Sequence, residues 1–146
     1  MRVSNPLTRG VRNNNPGNVR IGAPWDGLAP HQTDPAFCQF IDAEHGIRAI
    51  AKILMSYQDI HGLHTVRGMI GRWAPLTEND TRGYAQFVAG HCGVGLDDAV
   101  SIHNLAFAAK MIPAMIAMEC AGYQYPADVV IRGLIMAGVG ASGSVA

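Results

Sequence analysis

The segment Met111–Met118 (MIPAMIAM) carries no charged residue, and Glu119 follows it directly. Leu105, Ala108, Ala109, Ile112, Met115 and Ile116 recur at i, i+3, i+4 spacing. Glu119 falls on the same stripe, after Met115 and Ile116, so it continues the apolar face rather than leaving it. Such a helix is buried nearly all round, and its last turn presents a carboxylate. Pro113 implies a kink or a restart within it. The run is too short to span a bilayer.

The chain around this segment has 146 residues, one ordinary domain. Its 49% apolar content and 15% charged content exclude a disordered chain. Acidic and basic side chains balance, and the basic ones are scattered, so no patch for nucleic acid stands out. Cys38, Cys92 and Cys120 are odd in number and lack CxxC spacing, which points to reduced, buried thiols rather than a disulfide framework or zinc knuckle. The start, MRVSNPLTRGVRNNNPGN, has no apolar run and no secretory signal is expected. A chain made in a cytoplasm whose substrate lies outside needs something else to deliver it.

Residues 1–40 are rich in Asn, Pro, Gly and aromatics, and predict loops with a short hairpin around Val19–Ile21. Asp42 can cap a helix from about Ala43 to Asp59, and Thr65 a short one that Pro75 ends. Asn79 or Asp80 starts a third, with Tyr84, Phe87, Val88 and His91 on one side and Gly93 closing it. Ser101 starts a fourth, running to about Glu119, and Pro126 opens a fifth over Ala127–Ala137. Residues 1–8 and the Gly/Ser/Ala-rich tail Gly138–Ala146 are expected to be flexible ends. The expected class is mainly α, a single domain over 1–146 with a small N-terminal β hairpin and loop region.

A carboxyl group buried at the end of an apolar helix is pushed toward its neutral form, and the partial negative charge of the helix C-terminus pushes the same way. A carboxylic acid held protonated is what a general acid needs to protonate a glycosidic oxygen. The plainer alternatives place Glu119 at a frayed end in solvent, or paired with Arg132 or Lys110. Glu44, in the first turn of its helix, has its charged form stabilised there and suits a base or charge stabiliser, or simply a favourable first-turn charge. Glu78 precedes a helix cap, where a terminal charge is role enough. Asn13–Asn18 is dense in turn formers, and its amides suit either a rigid turn or the N-acetyl and hydroxyl groups of a sugar. Trp25 and Trp73 suit stacking on a pyranose or filling a core. His61 and His64 stand as HxxH without a third ligand, so no metal or cofactor is implied. Gly93-Val94-Gly95 lacks the Lys and the strand context of a phosphate loop.

RGVRNNNPGNVR (9–20), PWDG (24–27), FCQF (37–40), EHGIRAIAKILMSY (44–57) and TVRGMIGRWAPLTENDTRGY (65–84) follow in order. Together they resemble a family of phage and prophage proteins, described as virion structural or peptidoglycan-degrading proteins with a lysozyme-like domain. The resemblance covers most of the chain, and its NNNPGN…W-x-G and RWAP…EN-x-T…Y blocks are the most specific parts. The N-terminal blocks also look like segments of flagellar-type glucosaminidases, in which the catalytic helix precedes the Asn loop. Here the candidate helix comes last, and a circularly rearranged lysozyme-like domain would reconcile the two orders. In the family the late helix tends to end in Glu-Asn-Gly before a Pro-Tyr pair. This chain has Glu119-Cys120-Ala121-Gly122 and a different spacing, which puts the contacts after Glu119 in doubt. The resemblance makes Glu44 a rival for the catalytic role, and implies that Arg48 and Tyr84 line the site.

The expectation is cleavage of the β-1,4 bond between N-acetylmuramic acid and N-acetylglucosamine in peptidoglycan, with Glu119 as acid. A second carboxylate such as Glu44 or Asp42 positioning water would make a hydrolase. One Glu alone would let the muramoyl 6-hydroxyl attack, as in lytic transglycosylases, and the lack of an evident partner favours this route. Asn15, Asn18, Arg20, Trp25, Tyr57, Trp73 and Tyr84 are expected to line the groove. The alternative is a non-catalytic virion component that binds glycan or other virion proteins. The expected location is a virion, or a host cytoplasm with delivery to the periplasm.

Overall fold

Side-chain oxygens decide where most of the helices begin. Asp42 accepts from the His45 N–H, Thr65 from Gly68, Asp80 from Gly83 and Asn104 from Phe107. Each satisfies a first-turn donor that the helix itself leaves open. The computed structural model describes residues 7–76 and 80–141. Within them lie α1 (Arg9–Arg12), α2 (Ala43–Asp59), α3 (Val66–Trp73), α4 (Thr81–Cys92), α5 (Leu105–Glu119) and α6 (Ala127–Met136). The class is mainly α. α1 is a single turn, too short to leave a period in the sequence. α5 starts after Asn104 and not at Ser101, whose hydroxyl instead accepts from Gln58 and from the His103 N–H. Glu78 and Asn79 lie outside the described residues.

α5 is the centre of the core. Ala108, Met111, Ile112, Ala114, Met115 and Ile116 are buried, and the helix runs on through Pro113 without restarting. Ile47, Ile50, Ala51 and Leu54 of α2 share that core, as do Val66, Met69 and Ile70 of α3. Burying each of the Ile, Leu, Val and Met side chains contributes about 1.5–3 kcal/mol. α6 lies along α2, where a Cβ on Gly133 would meet Ile47 and the Glu44 carbonyl. α4 turns Tyr84, Ala85, Val88, Ala89 and Cys92 inward. Phe87 and His91, expected on that side, are exposed, their rings 6.2 Å apart. The inward set is the i, i+1, i+4, i+5, i+8 stripe, one residue round the helix from the expected one.

The N-terminal segment forms no hairpin strands among the described residues. It holds two isolated antiparallel bridges, Arg20 with Phe37 and Leu28 with Phe40. Val19, Cys38, Phe40 and Ala49 make a second small core there, with Trp25, Leu28 and Ile53 packed on it. The described part of the expected flexible ends is held in place. The Thr8 carbonyl accepts from the Arg12 N–H at the start of α1, Val139 is buried, and the Gly140 N–H donates to the His103 carbonyl. Residues 1–6 and 142–146 lie outside the described residues. Cys38, Cys92 and Cys120 are free and buried. No helix among the described residues is long and apolar enough to cross a membrane.

Candidate active site

The asparagine run is where distant parts of the chain are tied together. Asn14 and Asn18 take left-handed backbone angles, φ 52° and 51°, which Asn tolerates better than most residues. Asn13 binds Asp34 and Gln39, and Asn14 donates to the Phe40 carbonyl. Asn15 is completely buried. Its amide donates to the carbonyls of Val19 and Cys38, both at 2.9 Å, and its oxygen accepts from the Val19 N–H at 2.9 Å. The expectation that Asn15 meets substrate is therefore corrected: its hydrogen-bonding groups are used inside the loop. Gly17 follows because nothing larger fits, a Cβ there lying 2.6 Å from Ile50 and 3.1 Å from Trp73.

Asn18 alone of the run reaches outward, and it reaches Glu119. Its amide donates to Glu119 Oε1 at 3.1 Å, across 101 residues of sequence. Tyr84 donates its hydroxyl to Oε2 at 2.9 Å, and Trp73 Nε1 lies 3.1 Å from both that oxygen and the Tyr84 hydroxyl. Tyr84 is buried, and its pKa is driven far above the ordinary tyrosine value by that burial and by the Glu119 charge beside it. It therefore stays a donor. Left-handed Ala121 and Gly122 end the helix just beyond, where Cys120 Sγ packs against the Pro16 carbonyl. The position that departs from the resembled family's Asn is thus a buried thiol that seats the helix end on the loop. Neither alternative for Glu119 holds: it is half-buried and bonded by these donors, while Arg132 pairs elsewhere.

Beside this carboxyl opens a cleft of about 370 Å³, lined by Gly17, Asn18, Val19, Arg20, Phe37, Ile53, Tyr57, Trp73, Ala74 and Glu119. Such a volume lies within the range of small-ligand sites. Asn18, Arg20, Tyr57, Trp73 and Glu119 are brought together as expected. Tyr84 stands behind Glu119 and holds it, rather than lining the wall. Glu119 is the sole carboxylate among the described lining residues.

Other expected site residues lie elsewhere. Glu44 is bound by Arg132 at 3.0 Å, with α6 beside it. It precedes Ile53 by nine residues, about 13.5 Å of helix rise, which takes it out of the cleft. Asp42 is engaged as the α2 cap, its carboxylate bound to the His45 N–H and ring. Arg48 pairs with Asp26 at 3.1 Å, and Trp25 packs on the small N-terminal core. The W-x-G segment is therefore docked on α2, with Gly27 beneath the His45 ring, and Trp25 is not among the residues lining the cleft. Phe37 was not foreseen. The signal lies in the alternation of FCQF: Cys38 and Phe40 are buried, so Phe37 must face the other way. It carries the guanidinium of Arg9 on its ring at 4.6 Å and that of Arg20 at 4.9 Å.

With this geometry in place, comparison with known proteins finds Protein P5 of Pseudoalteromonas phage PM2. It is 40% identical over 133 residues, covering 88% of this chain and 81% of that protein. The chain belongs to the Protein P5 family. No family model matches the chain. The Protein P5 relationship ties the chain to a bacteriophage, and the name states no activity.

Proposed function

We propose that the chain cleaves the β-1,4 bond between N-acetylmuramic acid and N-acetylglucosamine in peptidoglycan, with Glu119 as general acid. The observation that carries this reading is a half-buried glutamate at the wall of an open cleft, held by Asn18, Trp73 and Tyr84. Tyr84 and Trp73 grip Oε2 from within. Oε1, shared with cleft-lining Asn18, is the oxygen left to serve substrate. The acid step passes a proton, carried on the Oε1 lone pair that Asn18 leaves open, from Glu119 to the bridging oxygen, and the bond from the muramoyl C1 to that oxygen breaks through an oxocarbenium-like state.

With no second carboxylate among the described lining residues, the single-acid route is favoured. The muramoyl 6-hydroxyl then attacks C1 and returns its proton to the Glu119 carboxylate, leaving an anhydro end. A mainly α domain with the late helix standing beside the Asn loop is what a circularly rearranged lysozyme-like domain requires, and we extend the proposal to that fold. A phage relative fits a wall-degrading role carried on a virion or delivered to the periplasm.

The same hydrogen bonds support a second reading. A carboxylate occupied by its own chain's donors also suits a non-catalytic virion component that only binds glycan. Mass analysis of peptidoglycan incubated with the purified protein separates the two. Anhydro-muramoyl ends are expected; reducing muramic acid would indicate a hydrolase, and an unaltered wall would leave the binding reading.

A further inference from the structure

Arg20 and Arg72 share an arrangement that the acid chemistry does not need. Arg20 lines the cleft and lies over the Phe37 ring, 4.9 Å from its centre; Arg72 lies over Tyr57, 5.4 Å from its centre. Phe37 and Tyr57 are themselves wall residues. Both arginines are exposed, and among the described residues neither makes an ion pair. Arg9, on Phe37 as well, differs: its Nε and Nη2 edge is taken by Asp34, at 2.7 and 2.6 Å. A guanidinium resting over a ring keeps N–H donors available to a carboxylate.

We propose that Arg20 and Arg72 select glycan strands that still carry stem peptides, by binding the peptides' carboxylates. The inference rests on the glycan reading of the cleft and names which glycan enters it. An N-acetylglucosamine polymer gives the arginines no carboxylate, and an amidase-stripped strand keeps only the lactyl carboxylates on the sugars themselves, without those of the peptide.

Trp73 in the cleft wall supplies the readout. Its fluorescence would be titrated with soluble glycan oligosaccharides carrying stem peptides and with the same oligosaccharides after amidase stripping, for the wild type and for the Arg20→Gln/Arg72→Gln variant. The wild type should bind peptide-bearing strands about ten-fold more tightly, each exposed contact contributing about three-fold. The preference should shrink with added salt and fall near unity in the variant. Circular dichroism checks that the variant, altered at exposed positions only, retains its helices. Equal wild-type affinity for both strands overturns the proposal, and so does a preference that survives in the variant. Cleavage is scored in the same samples. A peptide preference without cleavage removes the catalytic reading and keeps this one; cleavage without preference does the reverse.

Discussion

Among single residues around the cleft, Glu119 faces the open wall while Tyr84 and Trp73 hold it from behind and beside. On the proposed function Tyr84 is a positioning residue: it donates to Glu119 Oε2 from a buried site and is not among the cleft-lining residues. Tyr84→Phe deletes that donor while Trp73 keeps its own. Cleavage should slow by about ten-fold, and folding stability fall by about 1 kcal/mol. Turnover on sacculi and urea unfolding measure the two effects, and an unchanged rate would remove Tyr84 from the site. Asn15→Ala should do the opposite. It strips a buried loop of three partners, at a cost of about 3 kcal/mol in urea unfolding, without touching the cleft directly. Glu119 was legible because an apolar stripe ended on it. The division of labour among Asn13, Asn14, Asn15 and Asn18 was not, because four identical side chains differ only in what the folded chain puts beside them.

At the scale of elements, close approaches seat the Asn loop and α6 on α2. A Cβ on Gly46 would run into the Asn14 carbonyl, and one on Gly17 into Ile50. Gly46→Ala should therefore lift the loop from the helix and destabilise the fold by about 2 kcal/mol or more, even though alanine favours helix. A midpoint shift in urea unfolding tests this, and a stabilised variant would contradict the packing described. The helices α2 to α6 were legible from cap residues and periodicity, which act within a few residues, but the α5 cap is Asn104 instead of Ser101 and the α4 face is turned by one residue. α1 and the bridges near Val19 were not. One turn has no period, and the bridges are selected by partners from Phe37 to Phe40 rather than by local propensity.

At the scale of the whole molecule, the cleft gathers residues from the Asn loop, Phe37, the second half of α2, the end of α3 and the end of α5. No local pattern announces such a convergence, and so Glu44, Arg48 and Trp25 were expected in a site from which the fold removes them. Charge acts at this scale too. Asp34 is held below the usual carboxylate range by its hydrogen bond from Arg9, Asp97 by that from Arg67 and Asp128 by that from Arg132. A carboxylate depressed in the folded state binds fewer protons there than when unfolded, so stability is present above the unfolded value near pH 4 and lost as pH falls below it. Urea midpoints should be flat from pH 7 to 5 and drop toward pH 3, and a midpoint that rises on acidification would contradict these pairings.

The proposed function turns on Glu119 as the proton donor, and its replacement alongside that of Glu44 is the decisive comparison. Release of glycan fragments from purified sacculi would be compared for the wild type, Glu119→Gln and Glu44→Gln, each checked for retained helix content. Glu119→Gln should lose activity by about 10²-fold or more, with Glu44→Gln close to the wild type. Full release by Glu119→Gln, or loss confined to Glu44→Gln, would contradict it.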